Sequence, residues 1–372
     1  MDFADPLMLL EPPWVLLCRF AALVPDPDDE EAEEHAPDLS FALVTFLTAA
    51  RRLHPNPNYA DPVYLVAAGP TGLLLHFGVA AGDHVLVVMR DFVLAAAAGP
   101  HAATTGSAEL IPRSTAPMPV TYRPGNVGLV SLNGGYAIAE LRLHIASGRA
   151  KLLLFFAGGD AWVERDMAIP SLLARRRQWT SVGVISHGDR LWWFDPSCGL
   201  LSCNPVDPEP ALLAHSLPPG RVLQSFHAGL PADRCVCECE TAFDNMLLFA
   251  EITRGRGDEE AAVSADPSSQ NGTGETAGWN KSYEMSFAEI WNDDSYKATQ
   301  LPARVPGILL ICPSNGDVIY FVLEQRIFGV MVPDHRVVEF VTDNLAGEPV
   351  PPVPLVSSLG VLPWVLPHPI YN

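Results

Sequence analysis

The chain has 372 residues, of which 48% are hydrophobic and 18% charged. This composition is typical of a folded globular protein and excludes an intrinsically disordered one. Acidic residues outnumber basic ones by 43 to 23, giving a net charge of −20, which argues against a general nucleic-acid or anionic-membrane binder because both functions need a positive surface.

The first residues of the chain do not predict export. Met1–Leu10 carries Asp2 and Asp5 where a signal peptide has basic residues and an apolar run. Charged residues and histidines interrupt the best membrane candidate, Leu73–Ala98, so no stretch reaches the roughly 18 apolar residues that a spanning helix needs. Seven cysteines, an odd number, do not resemble a secreted disulfide framework. We therefore expect an intracellular protein, cytoplasmic or nuclear, that does not enter a membrane.

Short apolar segments dominate the chain, because 35 prolines and 28 glycines divide it. This punctuation favours many short strands over long helices. The first candidate, Ser40–Leu53, alternates like a strand, although Ser40 could also cap a helix. The other predicted strands are Lys151–Phe156, Ala161–Arg165, Val182–Ser186, Arg190–Phe194, Leu200–Asn204, Met246–Ile252, Gly307–Cys312, Val318–Leu323 and Arg336–Val341.

Two segments differ from this pattern within what we predict to be a single domain over residues 1–372. Seven of the nine residues in Asp26–Glu34 are acidic, which predicts a solvated loop over residues 26–38, with an acidic docking tail as the alternative. Residues 254–281 are rich in Gly, Ser, Asp and Glu and contain almost no large apolar side chains. That composition predicts a disordered insertion between two strands.

A weak internal repeat links Gly188–Phe194 to Gly316–Val322. Each copy begins with a Gly-Asp turn, continues as an aromatic strand and leads through a second apolar strand to a proline. Such a unit is typical of one blade of a β-propeller. Equivalent positions should face equivalent surroundings, so Trp192 and Tyr320 should both lie between sheets, whereas Trp193 is expected nearer a surface.

Several short motifs occur in a fixed order along the chain. They are Trp14–Leu17, Gly134–Leu141, Trp192–Pro205, Leu217–Arg221, Arg234–Val236 and Pro313–Phe321. This ordered set resembles the grass-expanded plant family catalogued as domain of unknown function 1618, with its core at about residues 191–332. The family is similar to the β-propellers attached to plant F-boxes, although no F-box-like leader is expected here. The resemblance implies an all-β, propeller-like fold of about five or six blades, and it implies no chemistry.

Cys235, Cys237 and Cys239 alternate along one predicted strand. On a strand the three thiols would share one face and could gather a soft metal such as zinc. A structural zinc site usually takes two closely spaced ligand pairs, and Cys198 and Cys203 offer only a loose second pair. We therefore predict buried thiols, since free cysteine favours interiors, and no metal.

Motifs of known catalytic sites are missing from the sequence. It contains no Gly-x-Ser-x-Gly, no Gly-Lys-Ser/Thr phosphate loop and no Gly-x-Gly-x-x-Gly. A catalytic triad of residues that are distant in the sequence remains an alternative, because triads are defined by their geometry and not by a sequence motif. The only basic cluster, Arg175–Arg177, is expected to be a solvated loop in so acidic a chain. We predict no catalytic, cofactor-binding or metal-binding residues.

The expected function follows from the fold. Propellers offer a rigid face whose loops can vary, so we expect a monomeric, non-enzymatic scaffold that binds partner proteins. One alternative is an enzyme with its site at the mouth of the propeller channel. The other is a carbohydrate-binding module that uses Trp193 or Trp291 for stacking.

Overall fold

A computed structural model describes residues 14–18, 20–21, 41–43, 63–69, 72–79, 83–94, 102–112, 124–132, 135–174, 179–223, 233–240, 245–254, 260–269, 278–279, 283–324, 326–340 and 361–365. The predicted acidic loop 26–38 and the cluster Arg175–Arg177 lie outside the described residues, as does much of the segment 254–281.

Within this part of the chain the fold is almost entirely β-structure, with strands numbered here in chain order. Sheet I pairs β1 (Trp14–Cys18) with β25 (Val361–Val365). Sheet II has the order β2-β4-β5-β6-β7-β3. Its strands are β2 (Phe20–Ala21), β3 (Phe41–Leu43), β4 (Val63–Gly69), β5 (Gly72–Val79), β6 (Asp83–Leu94) and β7 (Ala102–Ile111).

Three further sheets have four strands in consecutive antiparallel order. Sheet III contains β8 (Val127–Leu132), β9 (Gly135–His144), β10 (Arg149–Phe156) and β11 (Val163–Ala168). Sheet IV contains β12 (Gly183–His187), β13 (Arg190–Asp195), β14 (Gly199–Cys203) and β15 (Leu213–Ser216). Sheet VI contains β21 (Gly307–Ile311), β22 (Val318–Leu323), β23 (Arg326–Met331) and β24 (Arg336–Phe340).

Sheet V has five strands, with β20 pairing beside β18. They are β16 (Arg234–Glu240), β17 (Asn245–Thr253), β18 (Ala262–Ser269), β19 (Gly278–Trp279) and β20 (Tyr283–Ser286). The described helices are short: α1 (Ser171–Ala174), α2 (Phe287–Asn292) and α3 (Asp294–Ala298). Each spans six residues or fewer, so none of them could cross a bilayer.

Apolar side chains fill the spaces between successive sheets. In β13, Leu191 and Trp193 pack toward sheet III, whereas Trp192 and Phe194 pack toward sheet V. A strand covered on both faces reads as a nearly continuous apolar run, which is why these segments are so easily recognised as strands. At the turn before β13, Gly188 adopts φ 60°, a conformation that glycine takes without steric cost.

Aromatic side chains tie neighbouring sheets together. At five boundaries an aromatic N–H or O–H donates to a backbone carbonyl of the adjoining sheet or its flanking residues. These bonds are Trp364 Nε1 to Gly69 O (3.0 Å), Trp162 Nε1 to Pro112 O (2.7 Å), Trp193 Nε1 to Asn126 O (2.8 Å), Trp279 Nε1 to Ser216 O (2.7 Å) and Tyr283 Oη to Gly316 O (2.6 Å). Between sheets VI and I, the rings of Trp14 and Tyr320 lie 5.5 Å apart. Each sheet therefore contacts the next one from sheet I to sheet VI, and sheet VI in turn contacts sheet I.

The structure confirms the all-β class and the nine strands predicted after residue 150, with boundaries shifted by at most a few residues. Trp192 and Tyr320 both lie between sheets, on equivalent second strands, as the repeat predicts. The expectation that Trp193 lies nearer a surface is wrong. Its side chain is fully buried, whereas Trp192 is half-buried, because sheet III covers the Trp193 face completely.

The predicted disorder over residues 254–281 is wrong for residues 260–269. Ala262–Ser269 forms β18, which pairs with β17 on one side and β20 on the other. Val263 and Ala265 are completely buried. Small side chains suffice here because large residues of the adjoining strands and sheets fill the surrounding core, so a lack of large apolar residues did not signal disorder.

Candidate functional site

A polar cluster lies on the face of sheet IV that packs toward sheet V. Trp192 on β13 is directly opposite Ser202 on β14, and Leu200 on β14 is directly opposite His215 on β15. Because side chains alternate along a strand, Trp192, Ser202 and His215 project from the same face. Arg190 lies two residues before Trp192 and therefore joins this face as well.

Ser202 is at the centre of the cluster. Its Oγ lies 2.8 Å from His215 Nε2, and Arg190 Nε donates to the same Oγ at 3.3 Å. Since a guanidinium can only donate, the Ser202 hydroxyl accepts from Arg190. With His215 Nε2 the same hydroxyl donates in one imidazole tautomer and accepts in the other. The Trp192 ring covers the pair, with its centroid 4.6 Å from that of His215.

The electrostatics of this serine–histidine pair differ from those of a catalytic triad. Burial, reinforced by the Arg190 charge, lowers the pKa of His215 to about 4, so the imidazole is neutral and weakly basic at pH 7. Its Nδ1 has no hydrogen-bond partner among the described residues, whereas a triad histidine is held there by a carboxylate. Ser202 is fully buried. The pair is therefore suited to join strands β14 and β15, and it is poorly suited to attack a substrate.

An ion network lies at the other end of the same interface. Glu251 on β17 forms an ion pair with Arg234 on β16 and a second one with Arg221 at 2.8 Å. Arg234 also donates to the carbonyl oxygens of Pro196 and Arg221, both at 2.8 Å. Arg234 and Glu251 are buried. These bonds hold the turn between β13 and β14 against sheet V, and both arginines engage the one carboxylate.

Glu140 is a perturbed carboxyl group in sheet III that the sequence analysis missed. It lies on β9, is almost fully buried and accepts a hydrogen bond from Arg142 Nη2 at 2.8 Å. Burial outweighs the arginine and raises the pKa of Glu140 to about 7. A signal was available, because Glu140 is a lone acid within the apolar run Tyr136–Leu141.

The predicted cysteine face is present in β16. Cys235 and Cys237 are both buried, with their sulfur atoms 4.0 Å apart, in the core between sheets V and VI. This confirms the expected burial of these two thiols; the Cys239 side chain lies outside the described residues. Among the side chains that the structure describes, no three metal-ligating residues cluster. Of the two predicted stacking residues, Trp193 is fully buried, and Trp291 stacks on Phe287 at 6.1 Å.

The ion network and the serine–histidine pair both fall within a segment with a recognisable sequence pattern. Residues 193–320 match the family model described as Protein of unknown function (DUF1618). This DUF1618 segment extends from β13 of sheet IV to β22 of sheet VI. The match supports the resemblance that the ordered motifs indicate, and the description names no activity. A search of curated proteins found no match to the chain.

Proposed function

We propose that the chain is a β-propeller and that it acts as a non-enzymatic scaffold for protein partners. Contacts between successive sheets support this architecture, because they return from sheet VI to sheet I through Trp14 and Tyr320. Sheet I joins the first and last described strands, β1 and β25, as the closing blade of a propeller does. Six sheets in a ring would correspond to six blades.

The observation that carries the scaffold function is an exposed apolar side chain that recurs on the fourth strand of three sheets. In a propeller these fourth strands would form the outer rim. The fourth strand of sheets III, IV and VI each exposes one: Val163 is 39% exposed, Leu213 37% and Val338 38%. Single exposed apolar residues are ordinary, but these three occupy the same strand of three equivalent sheets. By contrast, the Ser202–His215 pair is enclosed. The Ser202–His215 pair is buried, whereas the three apolar side chains of the rim are exposed, and this contrast favours binding over catalysis.

The same proposal includes an intracellular location, cytoplasmic or nuclear, and kinship with the plant propellers attached to F-boxes. Three described cysteines are free and buried: Cys203, Cys235 and Cys237. Free thiols are typical of a reducing compartment. A net charge of −20 would favour partners with basic surfaces, since opposite charge accelerates encounter.

Affinity purification with cross-linking from an extract of the source organism tests the scaffold function. The wild type should retain a protein partner in stoichiometric amount, and the triple variant Val163→Asp, Leu213→Asp, Val338→Asp should lose it. Val206→Asp is the matched control, because Val206 is 39% exposed but lies in the loop between β14 and β15. Failure of the wild type to retain any partner, or equal retention by the triple variant, would contradict a binding function at the rim.

An enzyme is the second candidate function, and Glu140 is the observation that favours it. A carboxyl group with a pKa of about 7 is suited to general acid–base catalysis near neutral pH. Screening the protein against hydrolase and isomerase substrates, with Glu140→Gln as the comparison, decides between the two functions. A turnover that Glu140→Gln abolishes without loss of folding would replace the scaffold proposal.

A further inference from the structure

Among the described residues, nothing covers the outer edge of sheet III, unlike the outer edges of sheets IV and VI. Four consecutive residues of β11, Val163–Asp166, are exposed. On sheet IV, Trp279 donates to the Ser216 carbonyl of β15. On sheet VI, the Val337 N–H of β24 donates to Ser295 Oγ of α3 at 2.8 Å. Within the described residues, nothing pairs with the far side of β11. An uncovered edge strand is a template on which another strand can pair.

The register of β11 determines which of its backbone groups face outward. The Ile169 N–H donates to Gly148 O at 3.3 Å, and these two residues continue the register in which Arg149 lies opposite Ala168. Hydrogen-bonded and non-hydrogen-bonded pairs alternate along an antiparallel ladder. The backbone groups of residues 163, 165 and 167 therefore point to β10. Those of Glu164, Asp166 and Ala168 point away from the sheet, toward any added strand.

The outward-pairing positions carry acidic side chains. Glu164 and Asp166 lie two residues apart and so project from one face of the sheet. Lys151 lies opposite Asp166 in the register of β10 and β11, but its Nζ bonds Glu164 Oε2 at 2.6 Å, so the close ion pair of this lysine is with Glu164 and not with Asp166. A residue directly opposite Asp166 on an added strand would lie within side-chain contact, where an opposite charge stabilises the pair.

We propose that the edge of β11 binds an extended segment of a partner protein as a fifth strand of sheet III, with lysine or arginine at alternate positions opposite Glu164 and Asp166. Main-chain hydrogen bonds would supply affinity and the alternate side chains specificity, as in other strand-addition complexes. The inference rests on the proposed scaffold function and specifies that the partner contributes a basic, extended segment. The overall charge of −20 would accelerate association with such a basic segment.

Fluorescence anisotropy with two labelled ten-residue peptides tests the charge rule, one alternating Val with Lys and one alternating Val with Glu. The wild type should bind the Lys peptide, and more weakly as salt rises. Asp166→Lys should weaken binding of the Lys peptide by about twofold to fivefold and strengthen binding of the Glu peptide. Glu209→Lys, an exposed acid in another sheet's loop, should change neither beyond the general charge effect. Equal binding of both peptides to the wild type, or no binding, would overturn the proposal.

Glu164→Pro tests the backbone component. Proline there removes an outward N–H and leaves the bonds to β10 in place, so binding of the Lys peptide should be lost while the melting temperature stays within a few degrees of wild type. Should this variant unfold, Glu164→Lys with Asp166→Lys supplies the loss-of-binding variant instead. A natural partner that the wild type captures and Glu164→Pro still retains would refute edge binding and leave the scaffold function standing. Absence of any captured partner would refute the scaffold function itself.

Discussion

Replacing Trp193 with alanine should remove more stability than replacing its neighbour Trp192. The Trp193 side chain is fully buried between sheets III and IV, and its Nε1 donates to Asn126 O at 2.8 Å. A buried large aromatic removes about 150–250 Å² from water, which at about 25 cal/mol per Å² is worth roughly 4–6 kcal/mol. Truncations of this kind cost about 3–5 kcal/mol. We expect Trp193→Ala to lower the free energy of unfolding by about 4 kcal/mol.

Two further variants separate packing from hydrogen bonding. Trp193→Phe keeps most of the ring volume and leaves the Asn126 carbonyl without its donor, so it should cost about 1–3 kcal/mol. Trp192 is only half-buried, and its Nε1 has no hydrogen-bond partner among the described residues. Trp192→Ala should therefore cost roughly half as much as Trp193→Ala, about 2 kcal/mol.

Urea unfolding followed by circular dichroism measures these differences. The slope of free energy against urea should stay constant across the variants, since each is expected to unfold the same surface. A loss of about 4 kcal/mol is a large share of the ~5–15 kcal/mol that stabilises a typical domain. If Trp193→Ala proves milder than Trp192→Ala, the packing of sheet III on the Trp193 face is not what holds these sheets together, and the reasoning fails.

Three other outcomes follow from the described core. The pKa of Glu140 in the folded protein, about 7, exceeds its value in the unfolded chain. The neutral carboxyl group therefore stabilises the folded protein below about pH 4.5, and this stabilisation is lost as pH rises through 7. Glu140→Gln should raise the urea midpoint at pH 8 and leave it unchanged at pH 4. Gly128→Ala should destabilise the protein by about 1–3 kcal/mol, because an added Cβ would lie 2.6 Å from Val184 Cγ1; a wild-type melting curve would contradict this close approach. A thiol reagent should label Cys235 and Cys237 only after denaturation, since both are buried; rapid labelling of the folded protein, followed by peptide mass spectrometry, would show otherwise.

Strand positions were predictable because the signals that set them are local. Leu152–Phe156 and Val318–Leu323 are continuous apolar runs, and both lie in strands of the structure. The alternation of Trp192 and Trp193 likewise predicts that they face opposite sides. Which side is better covered depends on the sheets that pack there, and these come from distant parts of the chain. The sequence pattern therefore could not rank the two tryptophans by burial.

The polar clusters were not predictable for a related reason. Ser202 and His215 meet because β14 and β15 pair in one particular register, in which Leu200 lies opposite His215. Neither residue belongs to a recognisable motif, and a shift of one position would turn the two side chains to opposite faces. Arg234 and Glu251 are similarly brought together by the pairing of β16 with β17.

The pairing of β1 with β25 has a consequence for how the protein folds during synthesis. Trp14 and Val365 are register partners, so β1 leaves the ribosome long before the strand that completes its sheet. Joining segments roughly 350 residues apart costs about 3 kcal/mol more in loop-closure entropy than forming a ten-residue hairpin. Until β25 arrives, β1 has an unpaired edge that other chains can occupy. The last described strand to be translated therefore ends this exposure, and a nascent chain that stalls before residue 361 would be open to aggregation at its opposite end.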